Sequence, residues 1–239
     1  MLSMSKPAAP SQNNKASTAN LNRLRAAVLG ANDGIVSVSS IILGVAGATS
    51  NRNTIFTAGL AGLVAGAFSM ALGEYVSVSS QRDTERSYIA HEKRRLRDHA
   101  SEELEELAAI YEAKGLATKT AHQVARELTD HDAVRAHIDA ELNLDEDDLN
   151  NPKQAAVASM VAFTIGGLIP LVAVTVSAAR LRIIITFVAV LIALTVTGYL
   201  SATVGGASRR RAILRIVLGG AGAMIATYIV GHLFGTAVS

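Results

Sequence analysis

The sequence predicts an all-α membrane protein in which five transmembrane helices carry a helical, acid-rich insert between spans two and three. Half of its 239 residues are hydrophobic. The mean hydropathy is +0.32, too apolar for an ordinary soluble domain. Five stretches, about 26–48, 54–80, 154–178, 183–205 and 212–235, are long enough to cross a roughly 30 Å hydrocarbon core at about 1.5 Å per residue. Of the 20 Asp and Glu residues, 18 lie between Gln81 and Pro152.

Residues 1–22 are polar and rich in Ser, Asn, Ala and Pro, and lack the apolar region of a cleaved signal peptide. They read as a disordered tail. Spans one and two occupy 23–80, the insert 81–152, and spans three to five 153–239. Lys6, Lys15, Arg23 and Arg25 precede the first span, and Arg209, Arg210, Arg211 and Arg215 lie beside the fifth, whereas the opposite side has only Arg52, Arg180 and Arg182. The positive-inside rule then puts the N-terminus and the insert in the cytosol and the C-terminus outside. Gly62-x-x-x-Gly66 and Gly231-x-x-x-Gly235 let helix backbones approach closely, either within the bundle or across a dimer. The string VSVSS at 36–40 and 76–80 repeats by coincidence, because the two spans run in opposite directions.

The insert sets its 18 acids against ten Lys and Arg and holds five of the six histidines, His91, His99, His122, His131 and His137. Such a face concentrates cations. Three helices are expected. Residues 81–98 continue the second span into water. Ser101 caps a helix whose apolar stripe is Leu104, Leu107, Ile110 and Leu116, and Gly115 stops it. A third helix spans about 119–142, and the run at 145–148, DEDD, reads as a solvating linker. No helix shows the E-x-x-H spacing of di-iron bundles. Without cysteine, a metal must be held by oxygen, imidazole or thioether.

The two acids outside the insert, Asp33 and Glu74, both fall in spans. Asp33 lies roughly 10 Å into the first span from its cytosolic end, and Met70 roughly 24 Å from the outer end of the second, so Asp33, Met70 and Glu74 share one depth band. Met70 and Glu74 are four apart, on one helical face, and Gly30 and Gly34 around Asp33 admit a neighbouring helix or bare a carbonyl. A carboxylate in lipid is costly unless it faces a partner or a wet cavity, which makes these acids candidate pathway residues. Carboxylate with thioether suits a borderline ion such as Fe²⁺ better than Mg²⁺ or Ca²⁺.

The strings GANDGIVSVSSIILGVAG and GLVAGAFSMALGEYVSVSSQRD, with the acidic insert before a Pro-containing third span, resemble the vacuolar iron transporter family from about Arg23 to the C-terminus. The resemblance, nearest to bacterial versions, implies a homodimer of five-span protomers in a plasma membrane. It implies export of Fe²⁺ or Mn²⁺ from the cytosol in exchange for protons, and a cytosolic three-helix metal-binding domain. It carries the pathway roles onto Asp33 and Met70, with Glu74 matching the acid of the GEYVS versions. It carries metal-ligand roles onto Glu92, Glu103, Glu106 and Glu141, with His137 where some relatives have methionine, and leaves the choice within Glu102/Glu103 and Glu105/Glu106 open. Arg95 stands where related sequences often have Glu, which bears on how many metals the insert holds. The residues themselves allow one face to present Glu92, His99, Glu103 and Glu106 if the helix is continuous, although Ser101 points to a bend.

The expected function is therefore a divalent-metal exporter, with Fe²⁺ and Mn²⁺ as bound or carried ions, Co²⁺ and Zn²⁺ as competitors, and protons as counter-substrate. Rival readings are a membrane-anchored metal sensor without transport and a proton-coupled transporter of another solute. No nucleophile–base pair or phosphate loop speaks for an enzyme, and no cofactor or nucleic-acid partner is expected.

Overall fold

The computed structural model describes residues 12–142 and 151–238, and every regular element among them is helical. In chain order these are α1 (Gln12–Ala48), α2 (Arg52–Asp98), α3 (Ala100–Ala113), α4 (Thr118–His137) followed by a π-helical turn (Ile138–Leu142), α5 (Pro152–Val176), α6 (Arg182–Val204) and α7 (Arg209–Val238). Five helices are long and apolar enough to span a membrane, over Ala27–Ala48, Arg52–Asp98, Pro152–Val176, Arg182–Thr203 and Arg209–Gly235. α1 already begins at Gln12, so part of the stretch read as a disordered tail is helical. Lengthening an existing helix needs no new nucleus. Residues 1–11 and the DEDD run at 145–148 lie outside the described residues.

The chain divides into two compact units, Met1–Glu74 with Lys153–Ser239, and Tyr75–Pro152. In the first, α1 is packed on two sides. Val38 and Ile42 join Ile55, Leu63 and Ala67 of α2 and Phe163, Leu171 and Val174 of α5 in one apolar cluster. Ile35 and Leu43 join Val190 and Leu194 of α6 and Met224 of α7 in another. A helix buried on two sides needs apolar residues nearly all round. Its glycines set how closely the neighbours come. A Cβ at Gly34 would meet the Phe163 carbonyl of α5, and one at Gly231 of α7 would meet the Gly44 carbonyl of α1. Both G-x-x-x-G pairs are used within the chain: Gly62 lies against Ile41, Gly66 against Phe163, Gly231 against Gly44 and Gly235 against Ala48.

In the second unit, α3 and α4 pack through Leu107, Ala108 and Ala125, with Leu104 and Tyr111 alongside. The N-cap of α3 is His99 rather than Ser101, and its side chain makes no capping bond. The corner is closed by backbone instead. His99 N–H donates to the Arg95 carbonyl at 2.7 Å, while Glu102 and Glu103 N–H donate to the His99 carbonyl at 2.9 and 3.1 Å. Gly115 ends the helix with φ +102°, a left-handed conformation that favours glycine. Leu116, past that stop, is exposed and leaves the expected stripe. The third predicted helix is interrupted at Asp132, whose backbone is extended. Its carboxylate accepts the Arg135 N–H at 3.0 Å and restarts the helix.

Candidate metal centre and membrane cavity

The corner at His99, the break at Asp132 and the π turn together bring four ligand-type side chains to one point. Ligand atoms of Glu92, Glu103, His137 and Glu141 all lie within 4.8 Å of one another. His137 Nδ1 is 3.1 Å from Glu141 Oε1, 3.3 Å from Glu92 Oε1 and 3.8 Å from Glu103 Oε2. Glu92, Glu103 and His137 are 4%, 1% and 0% exposed, which separates them from an ordinary solvated acidic face. Glu92 Oε1, Glu103 Oε2 and His137 Nε2 are buried without a hydrogen-bond partner. Each such orphan costs about 1–3 kcal/mol, a cost that a cation among the carboxylate oxygens would relieve. Three hard oxygens and one imidazole suit a first-row divalent ion.

The glutamate pairs are resolved by burial and by partner. Glu103 points inward, whereas Glu102 is exposed and lies 3.7 Å from His99. Glu105 faces His122 at 3.6 Å. Glu106 is not part of the cluster: it is bonded to Arg95, which also reaches Glu103 Oε1 at 2.7 Å. The guanidinium thus occupies the place beside Glu103 where a further metal ligand was in question, and it balances one carboxylate of the cluster. His99, spaced suitably in sequence, is turned outward by the corner.

Burial, and then the neighbouring Glu141 and Glu103 carboxylates, push the Glu92 carboxyl above its ordinary value of 4.5, against the opposing pull of His137 and Arg95. A folded pKa above the unfolded one means that the native state holds this proton more tightly. The stabilising contribution is complete below about 4.5 and is lost as pH rises through the folded value. Metal-free Glu92→Gln should therefore gain thermal stability over the parent as pH is raised from 4.5 towards 8. Melting curves in chelator that run parallel across this range would refute the assignment.

In the membrane unit, Asp33 and Met70 line a single cavity of about 520 Å³, together with Asn32 and Arg215. Ser37 Oγ–H donates to Asp33 Oδ1 at 2.9 Å, from one turn along α1. Met70 also packs on the α1–α2–α5 cluster, so its thioether joins core to cavity. Glu74, one turn further along α2, is half-buried and is not among the residues lining this cavity. Gly30 and Gly34 admit α5, as their positions around Asp33 suggested: a Cβ at Gly30 would lie 3.0 Å from Ala162 Cβ. The sequence reading passed over Asn32, Ser37 and Arg215. Arg215 had been counted only as a topogenic charge, although its place six residues inside α7 was a signal.

Residues 24–232 match the sequence profile of the VIT family. The chain belongs to the VIT family. A vacuolar iron transporter from Acanthamoeba castellanii is 38% identical over 228 residues, covering 95% of this chain and 84% of the relative. Vacuolar iron transporter homolog 2.1 from Arabidopsis thaliana is 37% identical over 215 residues, covering 90% and 82%. Homolog 5 from Oryza sativa subsp. japonica is 36% identical over 217 residues, with the same coverage. The resemblance drawn from the two glycine-rich strings is borne out over most of this VIT protein. Its relatives are named as transporters, in keeping with the expectation that it is not an enzyme.

Proposed function

We propose that this VIT protein moves a divalent transition metal, Fe²⁺ and also Mn²⁺, out of the cytosol across its membrane in exchange for protons. The observation that carries the reading is the cluster of Glu92, Glu103, His137 and Glu141, in which Glu92 Oε1 and Glu103 Oε2 are buried without a hydrogen-bond partner, in a chain whose relatives are named vacuolar iron transporters. Residues 81–152 form the cytosolic metal-binding domain, which captures the ion. Asp33 and Met70, joined by Glu74 at the cytosolic side, form the membrane path. The distribution of arginines supports a cytosolic N-terminus and an outward C-terminus, and the family resemblance supports a homodimer. When the metal leaves, the carboxylates are free to take protons, which provides the physical basis of exchange.

The test is uptake into proteoliposomes with an imposed pH gradient, using Fe²⁺ kept reduced, with Mn²⁺, Co²⁺ and Zn²⁺ as competitors. Metal-dependent proton movement is expected. Purified protein that binds Fe²⁺ but never moves it would instead mark a sensor, and absence of metal affinity together with proton-coupled flux of another solute would mark a different transporter.

Arg95 bears on capacity. Arg95→Ala releases Glu106 and one oxygen of Glu103 from the guanidinium, so the variant should bind Fe²⁺ or Mn²⁺ roughly tenfold more tightly, or at higher stoichiometry. Isothermal titration of the detergent-solubilised protein measures both. An unchanged isotherm would show that the guanidinium does not compete for these ligands.

A further inference from the structure

We infer that Arg215 is a built-in counter-cation of the Asp33 cavity, a guanidinium that keeps the metal-free cavity near neutrality and withdraws when a divalent cation enters. The inference rests on the reading of Asp33 and Met70 as the metal path. Arg215 stands six residues from the start of α7, roughly 9 Å along its axis, while Arg209, Arg210 and Arg211 already supply the charge at the helix end. A fourth arginine deeper in a span is costly unless it faces a partner or a wet cavity, and Arg215 lines the cavity that holds Asp33.

The same cavity gives it room and a second acceptor. Gly219, one turn from Arg215 on the same face, also lines the cavity, and a Cβ there would meet nothing within 4 Å. Asn32 also lines the cavity, and its Oδ1 is buried without a hydrogen-bond partner, an acceptor for a guanidinium N–H or an entering cation. Arg215 is itself exposed. An arginine stem of this length reaches the interface from one or two turns inside a span, so the charged head has an inner position near Asp33 and an outer one near the helix start. A divalent ion at Asp33 repels the head outward. Its return offsets the charge of the emptied carboxylate only until a proton takes the metal's place.

The counter-cation makes metal binding weaker and release faster. In proteoliposomes assayed with Fe²⁺, Arg215→Gln is expected to lower KM roughly tenfold and to lower kcat by a similar factor, because a unit positive charge within one small cavity is removed. Arg215→Lys keeps the charge and should restore most of both. If Arg215 is only a helix anchor, its variants change the amount of assembled protein but neither constant per folded molecule, and that result overturns the inference. Should Arg215→Gln not assemble, Arg215→Met, which removes the charge and keeps an apolar stem, takes its place: a roughly tenfold fall in both KM and kcat supports the charge role, and constants within about threefold of the parent refute it. Asp33→Asn run in parallel separates the two readings. Transport surviving in Asp33→Asn sinks the pathway itself, whereas dead Asp33→Asn beside unaltered Arg215→Gln sinks the counter-cation alone.

Discussion

Asp33→Asn is expected to reduce metal-driven proton flux in proteoliposomes by roughly 100-fold or more while leaving the bundle folded. The substitution conserves shape and an oxygen acceptor, so the bond donated by Ser37 Oγ has a counterpart and the α1 packing around Gly30 and Gly34 is untouched. What it removes is the negative charge facing the cavity that Met70, Asn32 and Arg215 also line. A divalent cation there loses its anionic ligand and meets the guanidinium without compensation, which raises its energy throughout the passage. Fe²⁺ binding by the Glu92, Glu103, His137 and Glu141 cluster should persist, because those residues belong to the other compact unit. The decisive comparison is flux against binding in one preparation. Undiminished flux would remove Asp33 from the path, and loss of both together would mean misfolding rather than a blocked pathway.

Gly34→Ala should be strongly disruptive, although it is a conservative substitution beside the site. The added Cβ would meet the Phe163 carbonyl oxygen and lie 2.9 Å from its carbon and 3.0 Å from Gly167 N, all backbone atoms of α5. Backbone does not rotate out of the way as a side chain does, so α1 and α5 must move apart. Overpacking of this kind costs about 1–3 kcal/mol or more, and helix association in lipid depends on that close approach. Gly73→Ala is the matched control, since a Cβ there meets nothing within 4 Å. It should be neutral or gain up to about 1 kcal/mol from helix propensity. Thermal melts in detergent that place both variants level would show that the α1–α5 contact contributes little.

The α1–α5 contact also shows where sequence reasoning reached and where it stopped. Glycines around Asp33 indicated that a helix would come close, but not that it would be α5, because spacing along one helix carries no information about its neighbour. The G-x-x-x-G pairs read first as packing within the bundle, with a dimer as the alternative, and both are filled from within the chain. In the insert, Ser101 was the better N-cap by residue type, yet His99 holds the position through backbone bonds to Arg95, Glu102 and Glu103. Propensity lost there to the corner that brings Glu103 back towards Glu92.

By itself the sequence determined what belongs to segments: five spans, an acid-rich insert, the isolation of Asp33 and Glu74, and membership of the VIT family. Apolar length and charge act locally and can be summed along the chain, so they are legible without coordinates. Only the tertiary structure decided which side chains meet. It turned Glu103 inward and Glu102 outward, gave Glu106 to Arg95, and, past the break at Asp132, brought His137 and Glu141 together with Glu92 and Glu103. It also set Arg215 in the Asp33 cavity. Those meetings depend on corner angles and on pairs up to some 180 residues apart, where a small rotation of one helix exchanges a ligand for a solvated charge.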